Sequence, residues 1–250
     1  MKKRLGVLMV FALLHLTLSS VGQVKSDIEN QNKKGNAVFL VITDNAAIGV
    51  ENAVKVANIA KSQAPKSAVV KLNRDDAANS GLIKDYEVTR VPVPFILVIS
   101  AKGNVAGGYP ADGLNPDLLV QAIPSPKQDE AIEALDASKP CFFVISKQGF
   151  ADKSKVVADC KTAGSKIPSN PAIIEIDFDD SRETAFLKRI GVEKINDKTI
   201  TVVANATGQI TGNFEGSTDV SKLTAAANTV PKSGGCCPGG SGSSGCAPKK

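Results

Sequence analysis

Ile96 to Val105 reads ILVISAKGNV, followed by Gly107 and Tyr109, and Ile200 to Ile210 reads ITVVANATGQI, followed by Gly212 and Phe214. Outward from this pair, Phe39-Leu40-Val41-Ile42-Thr43 returns as Phe142-Phe143-Val144-Ile145-Ser146, and Leu72 to Asp76 (LNRDD) returns as Ile176 to Asp180 (IDFDD). Matching segments in matching order make two copies of one small unit the economical reading of 250 residues.

Within the first copy, Ala37 to Ile42 is a continuous apolar run suited to a strand buried on both faces. Val50, Val54 and Ala57 then recur at helical spacing, Ser67 to Leu72 reads as a strand, and Leu82, Ile83 and Tyr86 mark a short helix. Phe95 to Ser100 is strongly β-prone and turns through Lys102-Gly103-Asn104 into Val105, and Asn115-Pro116 caps a last helix. The order is β-α-β-α-β-β-α. The second copy repeats it: strands at Phe142 to Ser146, Ile173 to Phe178 and Ile200 to Ala204, helices marked by Val156, Cys160 and Ala163 and by Phe186, Leu187 and Ile190, and a final helix after Ser217 to Asp219.

Tyr86 to Ile99 (YEVTRVPVPFILVI) with Lys102-Gly103-Asn104-Val105 resembles the thioredoxin segment in which a tyrosine-bearing helix leads to a proline, a buried strand, a glycine turn and a second strand. The resemblance implies an α/β protein of two thioredoxin-like domains, each a mixed four- or five-stranded sheet flanked by helices. The expected layout is a signal peptide at 1–22, domains at 36–124 and 140–230, a linker helix at 125–139 around Ala131, Ile132 and Leu135, and a flexible, disordered Gly/Ser/Cys tail at 231–250. Gln23 to Gly35 reads as a polar lead-in.

Thioredoxins that move electrons carry Trp-Cys-x-x-Cys at the start of their first long helix, where the helix N-terminus favours a thiolate. The matching stretches here are Asp44-Asn45-Ala46-Ala47-Ile48-Gly49 and Lys147-Gln148-Gly149-Phe150-Ala151-Asp152, without sulfur. The cis-proline that the resemblance implies falls on Pro94 or Pro92. Counting back from the Gly103 turn favours Pro94, counting forward from Tyr86 favours Pro92, and Pro94 is preferred because a buried strand can begin at a proline but hardly contain one. The second copy has Asn196-Asp197-Lys198-Thr199 there.

Lys2-Lys3-Arg4, the apolar Leu5 to Leu18 and the small residues up to Gly22 have the parts of a secretory signal. The apolar part is short for a membrane span, so no span is expected in the mature chain. Cleavage removes three cations, taking the formal charge from +5 to +2, and removes His15, the one histidine. With no imidazole, Ser-His-Asp and Cys-His nucleophiles and mixed Cys/His metal sites are excluded. With no tryptophan, two tyrosines and no basic stripe, a nucleic-acid partner is excluded as well.

Export to a periplasmic or extracellular space places the five cysteines in an oxidising compartment. Cys141 at a strand start and Cys160 late in the following helix suit either a disulfide or two buried free thiols. Cys236, Cys237 and Cys246 sit in the Gly/Ser-rich tail. Three readings fit them: capture of a thiophilic metal such as Cu(I), thiol–disulfide exchange, or a local disulfide. Asp75-Asp76 and Asp177, Asp179 and Asp180 follow strands, where carboxylates hold hard cations or are simply solvated, and Asn205-Ala206-Thr207 fits the glycosylation acceptor pattern. The function expected is a redox-inactive, exported binding or scaffold protein with a protein or peptide partner and no cofactor. The alternative is a thiol-exchange or soft-metal protein acting through its tail.

Overall fold

The structure is a computed structural model that describes residues 22–230. The expected signal peptide and tail, with Cys236, Cys237 and Cys246, lie outside these residues save Gly22. The chain divides between Pro124 and Ser125 into two compact units.

The first unit runs α1 (Gln23–Lys33), β1 (Ala37–Thr43), α2 (Val50–Gln63), β2 (Ser67–Asn73), α3 (Ser80–Asp85), β3 (Phe95–Ile99), β4 (Val105–Pro110) and α4 (Pro116–Gln121). Its sheet has the order β2-β1-β3-β4. β1 pairs parallel with β2 and antiparallel with β3, and β3 pairs antiparallel with β4. The parallel pair requires a crossover, which α2 supplies. All seven residues of the central β1 are buried, and its alternation feeds two cores. Phe39 and Val41 join Ile96 and Val98 beneath Ala53, Ala57 and Ala60 of α2 and Leu119 of α4. Val38, Leu40 and Ile42 join Leu97 and Ile99 beneath Ile28 of α1 and Leu82 of α3.

The second unit repeats the plan as α5 (Pro126–Asp136), β5 (Cys141–Ser146), α6 (Lys153–Gly164), β6 (Ala172–Asp177), α7 (Thr184–Arg189), β7 (Ile200–Ala204), β8 (Ile210–Glu215) and α8 (Val220–Asn228), with sheet order β6-β5-β7-β8. Strand registers superpose the copies residue by residue. Val38 faces Ile99 as Cys141 faces Ala204, and Ile42 faces Phe95 as Ile145 faces Ile200. Both last helices start as read from the sequence: Asn115 accepts the Asp117 amide and Asp219 accepts the Ser221 amide.

Two expectations require correction. The polar lead-in Gln23 to Gly35 is largely α1, whose one buried residue, Ile28, is enough to dock it on the sheet. The linker helix at 125–139 is α5, the counterpart of α1 and the first helix of the second unit. Ala131 and Ala134 pack into that unit's core, and the carboxylate of Glu183, 1% exposed, accepts the Ser125 hydroxyl (2.5 Å) and the Lys127 amide (3.1 Å) at the helix start. A carboxylate at a helix N-terminus satisfies donors that no helical carbonyl reaches.

The Cys141–Cys160 disulfide is not formed; both are buried free thiols. Cys141 shares its side of β5 with Phe143 and Ile145, whereas Cys160 packs with Phe142 and Val144. Alternate strand residues point to opposite faces, so the sheet itself separates the two sulfurs.

Candidate functional site

In the first unit the end of β1, the end of β2 and the segment before β3 meet around Arg74. One guanidinium nitrogen lies 2.7 Å from the Asp44 carboxylate and the other donates to the Val91 carbonyl at 2.9 Å. The rigid fork of arginine bridges two acceptors in this way. Asp44 also accepts the Ala46 amide (3.0 Å), Asp75 accepts the Asn45 amide (2.9 Å), and the Asn73 side chain donates to that of Asn45 (2.8 Å). The loop before α2 is thus fixed by carboxylates and amides. Gly49, at φ +83°, begins the helix without a side-chain cap.

Beside Val91 the Val93–Pro94 peptide is cis, and the Pro94 carbonyl accepts the Ala111 amide at 3.0 Å. A mixed sheet crossed by a helix, with a cis-proline opening the strand next to the central one, is the arrangement that the sequence resemblance implies for this unit. Both units have the thioredoxin-like fold. A scan against protein-family models finds no match, and a search of curated proteins finds none. Solved structures similar to the chain include the N-terminal domain of alkylhydroperoxide reductase AhpF from Enterococcus faecalis (13% identity over 81% of this chain and 98% of that one, TM-score 0.31), and the first two thioredoxin domains of Naumovozyma dairenensis Eps1p (10%, 80% and 94%, TM-score 0.28). Human ERp44 is a third (13%, 81% and 54%, TM-score 0.35).

In the second thioredoxin-like unit the same positions carry different chemistry. Lys147 stands where Asp44 does and Phe178 where Arg74 does; the Lys147 ammonium lies 5.0 Å from the Phe178 ring centre and 3.2 Å from Asp179. Thr199 replaces Pro94, its carbonyl accepting the Gly216 amide at 2.7 Å. A threonine there exposes an N–H that proline lacks. The Asp152 carboxylate, at the position of Gly49, takes it at 3.0 Å and takes the Thr199 hydroxyl at 2.7 Å.

No sulfur lies at either loop. Burial pushes the Cys141 thiol up to about 12. Burial also raises Cys160, to about 11, against a weak contact with the Thr201 hydroxyl at 4.0 Å that works the other way, with the Asp159 charge adding to the rise. A reactive cysteine needs the opposite shift.

The carboxylates after β2 and β6 are committed to backbone and cations. Asp76 and Asp180 cap the following turns through the Ala78 and Arg182 amides, Asp177 accepts the Asp179 amide, and Asp180 also holds the Arg182 guanidinium at 2.7 Å. Among the described residues no three metal-ligating side chains cluster. Asn205, 4% exposed, donates to the Thr229 carbonyl (2.8 Å) and accepts the amides of Thr207 and Gln209 (3.0 Å each), so its amide organises the β7–β8 turn. No helix among the described residues is long and apolar enough to cross a membrane. Sequence reading missed Arg74, Asp152 and Thr199. The visible signals are the Arg-for-Phe mismatch between LNRDD and IDFDD and the loss of the proline at Thr199.

Proposed function

We propose that this is an exported, tandem thioredoxin-like binding or scaffold protein whose folded units carry out no thiol chemistry. The observation that carries this reading is the replacement of the dithiol position by the Asp44–Arg74 ion pair in one unit and by the Asp152–Thr199 pair in the other. Neither arrangement can accept electrons or form a mixed disulfide. Binding is assigned to the first unit, at the surface near Pro94. Ile48 is 91% exposed in the loop before α2, and Val91, Val93 and Pro94 are half-buried. Counting back from the paired strands, the second unit has Ala151, Asn196, Lys198 and Thr199 at the matching places, with its free amide already taken by Asp152. An extended, apolar peptide is the partner this asymmetry fits. A lysine at Ile48 should abolish peptide capture while a lysine at Ala151 leaves it intact; equal effects would sink the assignment.

The second reading places thiol exchange or thiophilic-metal binding on Cys236, Cys237 and Cys246. It is favoured by the burial of Cys141 and Cys160, which leaves the other three cysteines to answer for any reactivity of the chain. Disulfide reduction assayed with the full chain and with its Cys236→Ser/Cys237→Ser/Cys246→Ser variant separates the two. No turnover by the full chain supports the binding reading. Turnover lost in the variant selects the second reading, and turnover retained in the variant overturns both.

A further inference from the structure

The sheet of the first unit ends at β2, whose outer edge is unpaired. At the two ends of the parallel β1–β2 ladder the Ala37 amide donates to the Lys66 carbonyl and the Arg74 amide to the Thr43 carbonyl. Bonding to β1 therefore falls on Lys66, Ala68, Val70, Leu72 and Arg74, and Ser67, Val69, Lys71 and Asn73 turn their backbone groups outward. The Asn73 carbonyl is taken by the Asn79 side-chain amide at 2.8 Å. The amides and carbonyls of Val69 and Lys71 have no partner among the described residues. Beside this edge runs a groove of about 520 Å³, floored by one stripe of α1, Val24, Asp27, Gln31 and Lys34 at helical spacing. Lys34 and Lys71 are exposed, and neither has an ion pair among the described residues. The carboxylate in the groove, Asp27, already accepts the Gln23 side-chain amide at 3.1 Å.

We infer that the β2 edge and the α1 stripe form a site for an extended segment of another protein, which joins the sheet as a further strand and carries a carboxylate beside Lys71. Its backbone exchanges hydrogen bonds with Val69 and Lys71, and its apolar side chains rest on Val24. Val69 packs on the α2 side of the sheet, so Lys71, two residues on, meets the alternate side chains of the added strand, those turned away from α1. The second unit inverts this chemistry: Ile173, Glu175 and Asp177 stand where Val69, Lys71 and Asn73 do, with Glu175 held by Lys153 at 3.0 Å. A second copy of the chain fits the groove poorly. Its own edge strand carries a helix on each face, α1 and α2 on β2 or α5 and α6 on β6, and either would meet the stripe of α1, whereas a lone strand brings none. This site is independent of the surface near Pro94.

The test is NMR titration of the full chain with the acetylated, amidated peptide TVEVTVET, whose valines and glutamates lie on opposite faces when it is extended. Its controls are TVKVTVKT and a TVEVTVET N-methylated at its four central residues, which keeps the side chains and removes the backbone donors. Saturable binding with Kd in the range of about 0.1–1 mM is expected, with the Val69 and Lys71 amides shifting and exchanging more slowly with solvent. The N-methylated peptide should not bind. Lys71→Glu, an exposed change that leaves the core untouched, should weaken TVEVTVET at least about fivefold and make TVKVTVKT the better ligand. Shifts centred on Ile48 and Val93 would assign the peptide to the surface near Pro94 and overturn this inference while leaving that one standing. Equal binding of the N-methylated peptide, an unchanged preference in Lys71→Glu, no saturable shift with TVEVTVET, or self-association that protects Val69 and Lys71 without peptide also overturns it.

Discussion

The carboxylate of Asp152 receives both the amide and the hydroxyl of Thr199 at the position where the first unit places Gly49 and Pro94. The two pairs are alternative solutions to one problem, the backbone N–H that opens the strand beside the sheet's centre. Proline removes the donor, and threonine keeps it and needs an acceptor.

Thr199 is 0% exposed, so Asp152→Ala strands a buried amide and hydroxyl and should destabilise the second unit by about 2–3 kcal/mol. Urea unfolding followed by hydrogen exchange in each unit checks this. Protection should fall across β7 and stay unchanged in β3. A uniform loss in both units would refute the local account.

Arg74→Ala removes the bond to Asp44 and the tie to the Val91 carbonyl together, at a cost of about 1–2 kcal/mol for a pair that is only partly exposed. Arg74→Lys should recover less than half of this, because an ammonium does not span both acceptors. Faster amide exchange from Val91 to Phe95 in both variants is the signature to measure.

Asp159 lies near-buried on α6, held by Lys155 and by the Ser217 hydroxyl at 2.6 Å. Burial works to raise its pKa, but the hydrogen bonds from Lys155 and Ser217, the Lys155 charge and the Thr218 amide outweigh it, and the carboxyl sits below its ordinary value. A depressed folded value means that the stabilisation is complete above the unfolded carboxyl pKa of about 3.9 and disappears as pH falls through the folded value. Asp159→Asn should therefore flatten the loss of stability below about pH 4 and lower stability at neutral pH. An acid titration with the same slope in both proteins would contradict this.

With Cys236, Cys237 and Cys246 changed to serine, the native chain should show no fast thiol at pH 8, and two thiols should appear on unfolding. Burial holds Cys141 near 12 and Cys160 near 11, which leaves thiolate populations of about one in a thousand or less at that pH. Rapid labelling of either native residue would mean that its core opens far more readily than its packing implies.

The strands were legible because β1 and β5 are buried along their whole lengths, so an unbroken apolar run has one reading. Helix α1 was not, because it docks through one buried side chain and its sequence looks like a solvated lead-in; α5 was legible as a helix but not as the first helix of the second unit. Strand alternation already put Cys141 on the side of Phe143, but the face that α6 covers is decided by the sheet and could not be read from helical spacing alone. At the site, Arg74 stands out in the repeat, yet its acceptors lie 30 and 17 residues away, and only the folded chain brings them together.

Asn205 also sets an order of events. Its Nδ2 is held by the Thr229 carbonyl while its Oδ1 takes the Thr207 and Gln209 amides, so attachment of an oligosaccharide, which needs that nitrogen, competes with the folded arrangement of this turn and the end of α8. Sugar at this asparagine would mark molecules that folded too slowly, and the completed protein should carry none.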